Sequence, residues 1–396
     1  MKSLKNILTI VFLFILYMYV ANITQIPKEI ILLKGEKLEI IRMCGLEVIE
    51  TATTSSMNMD TVNIELSLFG KIPVKDINVN IIENAEVIPI GKIIGLKLYT
   101  NGVLVVGMSE IENMYNEMEK PFENTDIQEG DTIIKIDENE IENIEDLKKI
   151  VNESEGKNIC LTLVREGTLV TSNIKPTQIE ENEYKLGLWV KDAATGVGTV
   201  TFVEKESQKF AALGHGIADS DTNRLIDIDS GEIVTSKVLS IKKGEEGKPG
   251  EIKGTIINQP TIGNVEKNTV FGIYGTLNNL TSLNINKSEA IPVALRNEIK
   301  EGEAQIICSI DGNTTKTYDI LIEKIYLQNN SDNKSMLIKV IDSELLESTG
   351  GIIRGLSGAP IVQNGKFVGA VTNVLVSNPQ IGYAIFADLM VKQIIE

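Results

Sequence analysis

The stretch Gly355-Leu356-Ser357-Gly358-Ala359-Pro360-Ile361-Val362-Gln363-Asn364-Gly365-Lys366-Phe367-Val368 reads as a glycine-bracketed serine followed by a strand, a two-residue turn and a second strand. Asn364-Gly365 is the pair that a type I′ turn demands, because both central residues sit at positive φ. The same grammar extends outward in both directions. Gly198 to Val203 and Lys209 to Leu213 form a second hairpin pattern, and a short helix is expected from Ala387 to Ile395 at the end. From Leu186 onward nearly every apolar run is short and bounded by turn signals, which predicts an all-β domain built as a barrel or a pair of barrels.

Upstream of an acidic linker, Glu180-Glu181-Asn182-Glu183, the stretch from Ile88 to Pro176 has a different pattern. It runs through Ile94-Gly95-Leu96, a strand at Val103 to Val106, and Gly130-Asp131-Thr132-Ile133-Ile134. A helix follows, with Asn143 as N-cap, Asp146 three residues on, and Leu147, Ile150 and Val151 at helical spacing. A hairpin, Ile159 to Val164 against Thr168 to Thr171, closes the unit. These residues resemble a PDZ domain of the kind found in bacterial exported proteases. The resemblance implies that the Ile94-Gly95-Leu96 loop offers N–H groups to a peptide's terminal carboxylate while a sheet edge accepts the peptide as an added strand.

The N-terminus is of another kind. Ile7 to Ile23 is almost uninterrupted apolar sequence behind Lys2 and Lys5, at the short end of a membrane span, with the positive charges keeping the N-terminus cytoplasmic. An uncleaved anchor and a cleavable signal are both open readings, although no A-x-A-like site follows Val20-Ala21-Asn22. Between the anchor and the PDZ-like unit lie short strand-like pieces and the polar bridge Thr51 to Ser56, a plausible nicking site. The expected organisation is an anchor or signal at 1–24, an N-terminal β segment with a nicking-prone linker at 25–86, a PDZ domain at 87–177 and an all-β domain at 184–396.

A chain of 396 residues exceeds what one core usually serves. Hydrophobic residues make up 42% and charged residues 23%, so a buried core can form. The formal net charge of −17 opposes a phosphate backbone as partner, which argues against nucleic acid. Cys44, Cys160 and Cys308 are odd in number and far apart, so they imply neither a disulfide framework nor a zinc site. The sequence carries no metal or cofactor motif.

The chemistry points to Ser357 and His215. Glycines around Ser357 free the backbone for a tight, exposed turn, and the N–H groups of Gly355 and Ser357 could together hold an oxyanion. His215, in Ala212-Leu213-Gly214-His215-Gly216, is the single histidine of the chain and also lies between glycines. It is the one side chain whose ordinary pKa suits a general base near neutrality. The carboxylate that would orient it is left open by the residues alone: Asp219, Asp227, Asp319 and Asp342 all qualify by order or proximity. A membrane-tethered PDZ adaptor with an inactive protease-like domain is the rival reading.

Taken together, Ala212-Leu213-Gly214-His215, Phe271-Gly272-Ile273-Tyr274-Gly275-Thr276 and Thr349-Gly350-Gly351-Ile352 ahead of Gly355-Leu356-Ser357-Gly358 resemble the SpoIVB peptidase family. The resemblance implies a mainly β fold: an N-terminal anchor, an α+β PDZ domain and a chymotrypsin-like double β-barrel. It further implies a cofactor-free, self-cleaving serine endopeptidase, exported into the space between forespore and mother cell. There it would cut a membrane-bound, SpoIVFA-like regulator and so trigger pro-sigma-K processing. Carried across residue by residue, the family's triad falls on His215, Asp342 and Ser357. One departure is Asn373 after Ala370-Val371-Thr372, where relatives often carry a histidine.

Overall fold

One strand organises the chain. Glu86–Met108 is 23 residues long, with runs of consecutive buried residues at 93–96 and 102–105, the signature of a strand covered on both faces there. In the computed structural model, residues 46–55, 59–82, 85–257, 261–278, 280–312, 314–327 and 333–395 are described. N-terminal to them are Glu29–Leu33 and scattered positions between 11 and 28. Leu188–Glu204 runs antiparallel to the long strand over nearly its full length, from Leu188 opposite Met108 to Glu204 opposite Val87.

The two halves of that strand pair serve two different units. Residues 94–100 also pair with Ile228–Lys242 on their other side. The hydrogen-bonded neighbours then run in a closed circuit: Glu86–Met108, Leu188–Glu204, Lys209–Ala212, Gly272–Leu277, Gly263–Thr269, Ile228–Lys242 and back to the start. This first six-stranded ring is filled by Ile88, Leu96, Leu98, Val200, Phe210 and Ile273. Burying each such side chain contributes roughly 1.5–3 kcal/mol.

The other half of the strand, residues 103–108, begins an α+β module. There Val103 and Leu104 pair with Thr132–Ile136, which leads to Ile159–Arg165 and Thr168–Ile174. The hairpin turns on Glu166 and Gly167, both at positive φ. The expected helix is present as Ile144–Glu153, where the Asn143 side chain accepts from the Asp146 N–H and Leu147 and Val151 are buried. The module is therefore inserted between the first two strands of the ring. That corrects the expected 87–177 boundary, since residues 87–100 belong to the ring. It also corrects the assignment of Ile94, Gly95 and Leu96 to a peptide-binding loop. These three residues are mid-strand and paired on both sides, with Ile94 and Leu96 each 1% exposed. No peptide carboxylate could reach their N–H groups.

The second unit is a closed barrel of Gly302–Cys308, Lys316–Ile325, Met336–Val340, Asn378–Phe386, Lys366–Leu375 and Pro360–Gln363. The hairpin of Pro360–Gln363 and Lys366–Leu375 turns on Asn364 and Gly365, at φ 52° and 75°, with Gln363 opposite Lys366. The turn geometry is the one the Asn-Gly pair calls for. Phe202 from the first ring meets Phe367 of the barrel edge-on at 5.1 Å, and Ala211 and Tyr274 join the same apolar cluster. The two units thus share a continuous core. The closing helix, Ala387–Ile395, sends Asp388 to Arg296 at 2.6 Å, and the Arg296 guanidinium also lies over Phe386.

Ahead of these units, Glu29–Leu33, Ile72–Ile82, Met59–Leu68 and Leu46–Ser55 form a four-stranded sheet. Thr51–Ser55, expected as a flexible bridge, pairs with residues 60–63 instead, and Ser56 lies outside the described residues. The expected anchor falls largely on positions that are not described, and among the described residues no helix is long and apolar enough to cross a membrane. Cys44 is likewise outside the described residues, and Cys160 and Cys308 are free. Burial pushes the Cys308 thiol up to about 12, which makes it an inert core residue.

Candidate active site

The serine is delivered by a loop pinned on every side. The helix Ser343–Thr349 ends on Gly350 in the left-handed conformation, and Gly244 N–H donates to the Thr349 carbonyl at 2.8 Å. Arg354 donates to Gly250 O at 3.0 Å and accepts from Ile252 N at 2.8 Å, so the Arg354–Gly355 peptide is tied to the first unit's edge. Leu356 is fully buried and anchors the loop in the shared core. Beyond it, Gly358 N–H donates to Val371 O at 2.7 Å. Neither Gly355 N–H nor Ser357 N–H donates to any group among the described residues.

Thr199 joins the two halves of the site. It is fully buried on Leu188–Glu204, its hydroxyl donates to Gly355 O at 2.7 Å, and its carbonyl accepts from Leu213 N at 3.2 Å. One residue thereby holds both the serine loop and the turn that leads to the histidine. Each hydrogen bond is worth about 1 kcal/mol net.

His215 follows Lys209–Ala212 through a tight turn with Leu213 and Gly214 at positive φ. It is half-buried, and its Nδ1 lies 2.9 Å from Gly216 O. A carbonyl can only accept, so that bond places the ring proton on Nδ1 and leaves the Nε2 lone pair free as a base. Withdrawal from water lowers the imidazole's pKa from its ordinary value, and the Gly216 carbonyl opposes that shift. The ring is therefore neutral at pH 7.

His215 and Ser357 line one cleft of about 480 Å³ between the two units, together with Leu213, Thr372, Asn373 and Arg354. The Ser357 hydroxyl donates to Thr372 O at 2.7 Å, and no hydrogen bond joins it to His215 among the described residues. The two side chains thus share the cleft without touching through a hydrogen bond among the described residues.

None of the four candidate carboxylates lines this cleft. Asp219 is held by Lys191 at 3.0 Å and by the Asp221 and Thr222 N–H groups, and Asp227 is exposed. Asp319 accepts from Gln305 in the second barrel. The assignment of Asp342 to the triad is corrected in the same way. Its side chain caps the helix Ser343–Thr349, accepting from Leu345 N at 3.0 Å, and makes no contact with His215. The helix that Asp342 caps leads through Gly350 and Gly351 to the loop that carries Ser357. The group that faces His215 Nδ1 is the Gly216 carbonyl. Asn268 steadies that turn from behind, accepting from Ile217 N at 2.9 Å and donating to the Ile217 and Ile226 carbonyls. Thr199, Thr372 and Asn268 carry no sequence signal, because their roles come from pairing across long separations.

A second concavity, about 350 Å³, lies on the inserted module. Ile144, Leu147 and Val151 of the helix form one wall and Leu186-Gly187-Leu188-Trp189 the other. Gly187 is at φ +72°, and the only strand that residues 188–191 pair with among the described residues is Glu86–Met108, which leaves their groove-facing edge open.

A glycine-framed serine and a neutral imidazole sharing a cleft between two six-stranded β units is the arrangement of the serine-type peptidases. The family model for SpoIVB peptidase S55 matches residues 182–391, and the chain belongs to that family. No curated protein matches it. Among solved structures it is similar to one described as "Crystal structure of Rv3671c protease, inactive form", at 11% identity and a TM-score of 0.26, covering 50% of this chain and 82% of that one. A likeness that distant carries no weight for the chemistry here.

Proposed function

We propose that the protein is a serine endopeptidase. The observation that carries this reading is the meeting of His215 and Ser357, from two separate β units, in one cleft beside two backbone N–H groups without acceptors among the described residues. In the reaction, Ser357 Oγ leaves the Thr372 carbonyl and turns to His215. Its proton passes to Nε2 as Oγ bonds to the peptide carbonyl carbon. The oxyanion draws the Gly355 and Ser357 N–H groups, the amine leaves with the proton from His215, and water then releases the acyl group. A fluorophosphonate probe tests this. The purified chain should carry the label on Ser357, located by peptide mass spectrometry, while absence of label with and without candidate substrates would favour the inactive adaptor.

The family resemblance supports a narrower role. The protein would be anchored at its N-terminus, exported to the space between forespore and mother cell, cleave itself, and then cut a membrane-bound regulator so that pro-sigma-K is processed. The inserted module would act as the PDZ domain, with Leu186-Gly187-Leu188 as the carboxylate loop and the open edge of residues 188–190 as the strand that a peptide joins. Leu147→Lys would then place a charge in the apolar wall of that groove. C-terminal peptides that bind the wild-type chain should lose at least about tenfold in affinity by fluorescence anisotropy. Unchanged binding would remove the groove from this role.

A further inference from the structure

Resting on the peptidase reading above, we propose that the cleft beside Ser357 selects peptides with a short aliphatic side chain at the residue donating the scissile carbonyl and a carboxylate side chain nearby. The specificity-determining residues are Ile352 and Arg354. The first argument is the chemistry of the walls. Val197, Leu213, Ile352, Ile353, Val374 and Val376 are six of the cleft's sixteen lining residues, and no aspartate or glutamate is among them. A basic substrate side chain entering it would find no counter-ion, and desolvating that charge among aliphatic walls would cost more than any contact returns.

The second argument is depth. Ile352 lines the cleft and packs against Gly382, on the strand next to Lys366–Leu375, whose lack of a side chain would otherwise leave a gap beside it. Here it is already filled. A Cβ at position 382 would meet Ile352 Cδ1 at 2.5 Å, and Ile352 itself is only 2% exposed. The isoleucine occupies that space, so the part of the cleft it lines would favour a valine- or leucine-sized group over an aromatic ring. In apolar pockets one methylene shifts selectivity by about 10- to 200-fold, so this side chain matters.

The third argument is charge. Arg354 is exposed at the rim of the cleft, and its guanidinium has no hydrogen-bond or ion-pair partner among the described residues. The chain as a whole carries a formal charge of −17, so an unpaired cation beside the nucleophile is a local exception. It would attract a carboxylate brought along the substrate backbone. The track for that backbone is present, since Asn373, Val374 and Leu375 pair with Tyr383, Gly382 and Asn378 on one side. Their other side has no strand partner among the described residues, because pairing with Pro360–Gln363 ends at Ala370. A peptide laid on that edge as an added strand would run along the cleft that Ser357 and Arg354 also line.

The test uses the purified full-length chain, a peptide library varied on both sides of the scissile bond, and mass-spectrometric reading of the cut positions. In parallel, Ser357 is labelled with a fluorophosphonate. The expected result is cleavage after Val, Leu, Ile or Ala, with an acidic residue nearby favoured about three- to fivefold, the scale of one exposed ion pair. Arg354→Glu should move that charge preference to Lys and Arg. Ile352→Val, milder than Ile352→Ala in a buried position, should raise cleavage after Met and Phe relative to Val. Cleavage after Lys, Arg or Phe in the wild type, or a charge preference that Arg354→Glu leaves in place, overturns the inference while the peptidase reading stands. Labelling of Ser357 without cleavage of aliphatic–acidic peptides overturns it equally. If the chain neither labels nor cleaves, the peptidase reading falls and takes the inference with it.

Discussion

Ser357→Ala and His215→Ala should each lower kcat/KM for peptide hydrolysis by a factor on the order of 10⁴ to 10⁶, and the double variant should be no worse than either alone. The two residues act as one unit: without the imidazole the hydroxyl keeps its proton, and without the hydroxyl the imidazole has nothing to activate. Stability should barely change in Ser357→Ala. What is lost in the resting state is one hydrogen bond to Thr372 O, about 1 kcal/mol, from a half-buried residue. The pH profile of the wild type carries an independent signature. His215 must be neutral to accept the proton, and burial lowers its pKa from the ordinary value. The acid limb of kcat/KM should therefore lie below about pH 6.5, with activity kept through that value and lost as pH falls through the lowered pKa. A carboxylate beside the ring would do the opposite, raising the pKa and moving the limb upward. An acid limb above 6.5 would thus show that a carboxylate reaches His215 in the working enzyme, against the Gly216 carbonyl seen here.

The local devices of this fold are written in the sequence, and its long-range pairings are not. Asn364-Gly365 fixes its own turn because only residues tolerant of positive φ can occupy it, and Asn143 caps its helix because a short acceptor there meets a free N–H. Ser357 and His215 are legible for a similar reason, as reactive side chains set between glycines. The expected peptide-binding loop shows where such reading ends. Ile94-Gly95-Leu96 and Leu186-Gly187-Leu188 are the same pattern of aliphatic, glycine, aliphatic. In the first, Gly95 is needed because Ile256 and Val234 press to within 2.8 and 2.9 Å of where a Cβ would be. In the second, Gly187 is needed for its φ of +72°. Nothing local separates close packing from a turn. What separates them is that Glu86–Met108 continues unbroken through Gly91, Gly95 and Gly102 to meet a strand from the far side of the inserted module. The same limit explains Asp342. An aspartate before a helix is as good a cap as it is a triad acid, and only the fold shows which group it faces.

The sharpest test of how the two β units build the site is Gly358→Ala. Gly358 sits at φ +94°, where a non-glycine residue carries strain of about 1–3 kcal/mol. Space is the larger obstacle. A Cβ there would lie 2.6 Å from Leu213 N and closer still to Thr199 O, both backbone atoms of the other unit. Neither can yield like the end of a side chain. Either the serine loop withdraws, breaking Gly358 N–H to Val371 O and Thr199 Oγ1 to Gly355 O, or Leu213 moves and takes His215 with it. Both routes separate base from nucleophile, and a displacement of about 1 Å costs on the order of a hundredfold in rate. The expected result is a loss of at least about 100-fold in kcat/KM with a fall in Tm of roughly 5–10 °C, following a destabilisation of about 3 kcal/mol or more. Gly365→Ala provides the contrast. It also replaces a glycine at positive φ, 75°, but nothing lies within 4 Å of the new methyl group. It should lose about 1 kcal/mol of stability from backbone strain alone and keep its turnover. If the two variants behaved alike, the contact between the serine loop and the Thr199–Leu213 backbone would not be what sets the geometry of the cleft.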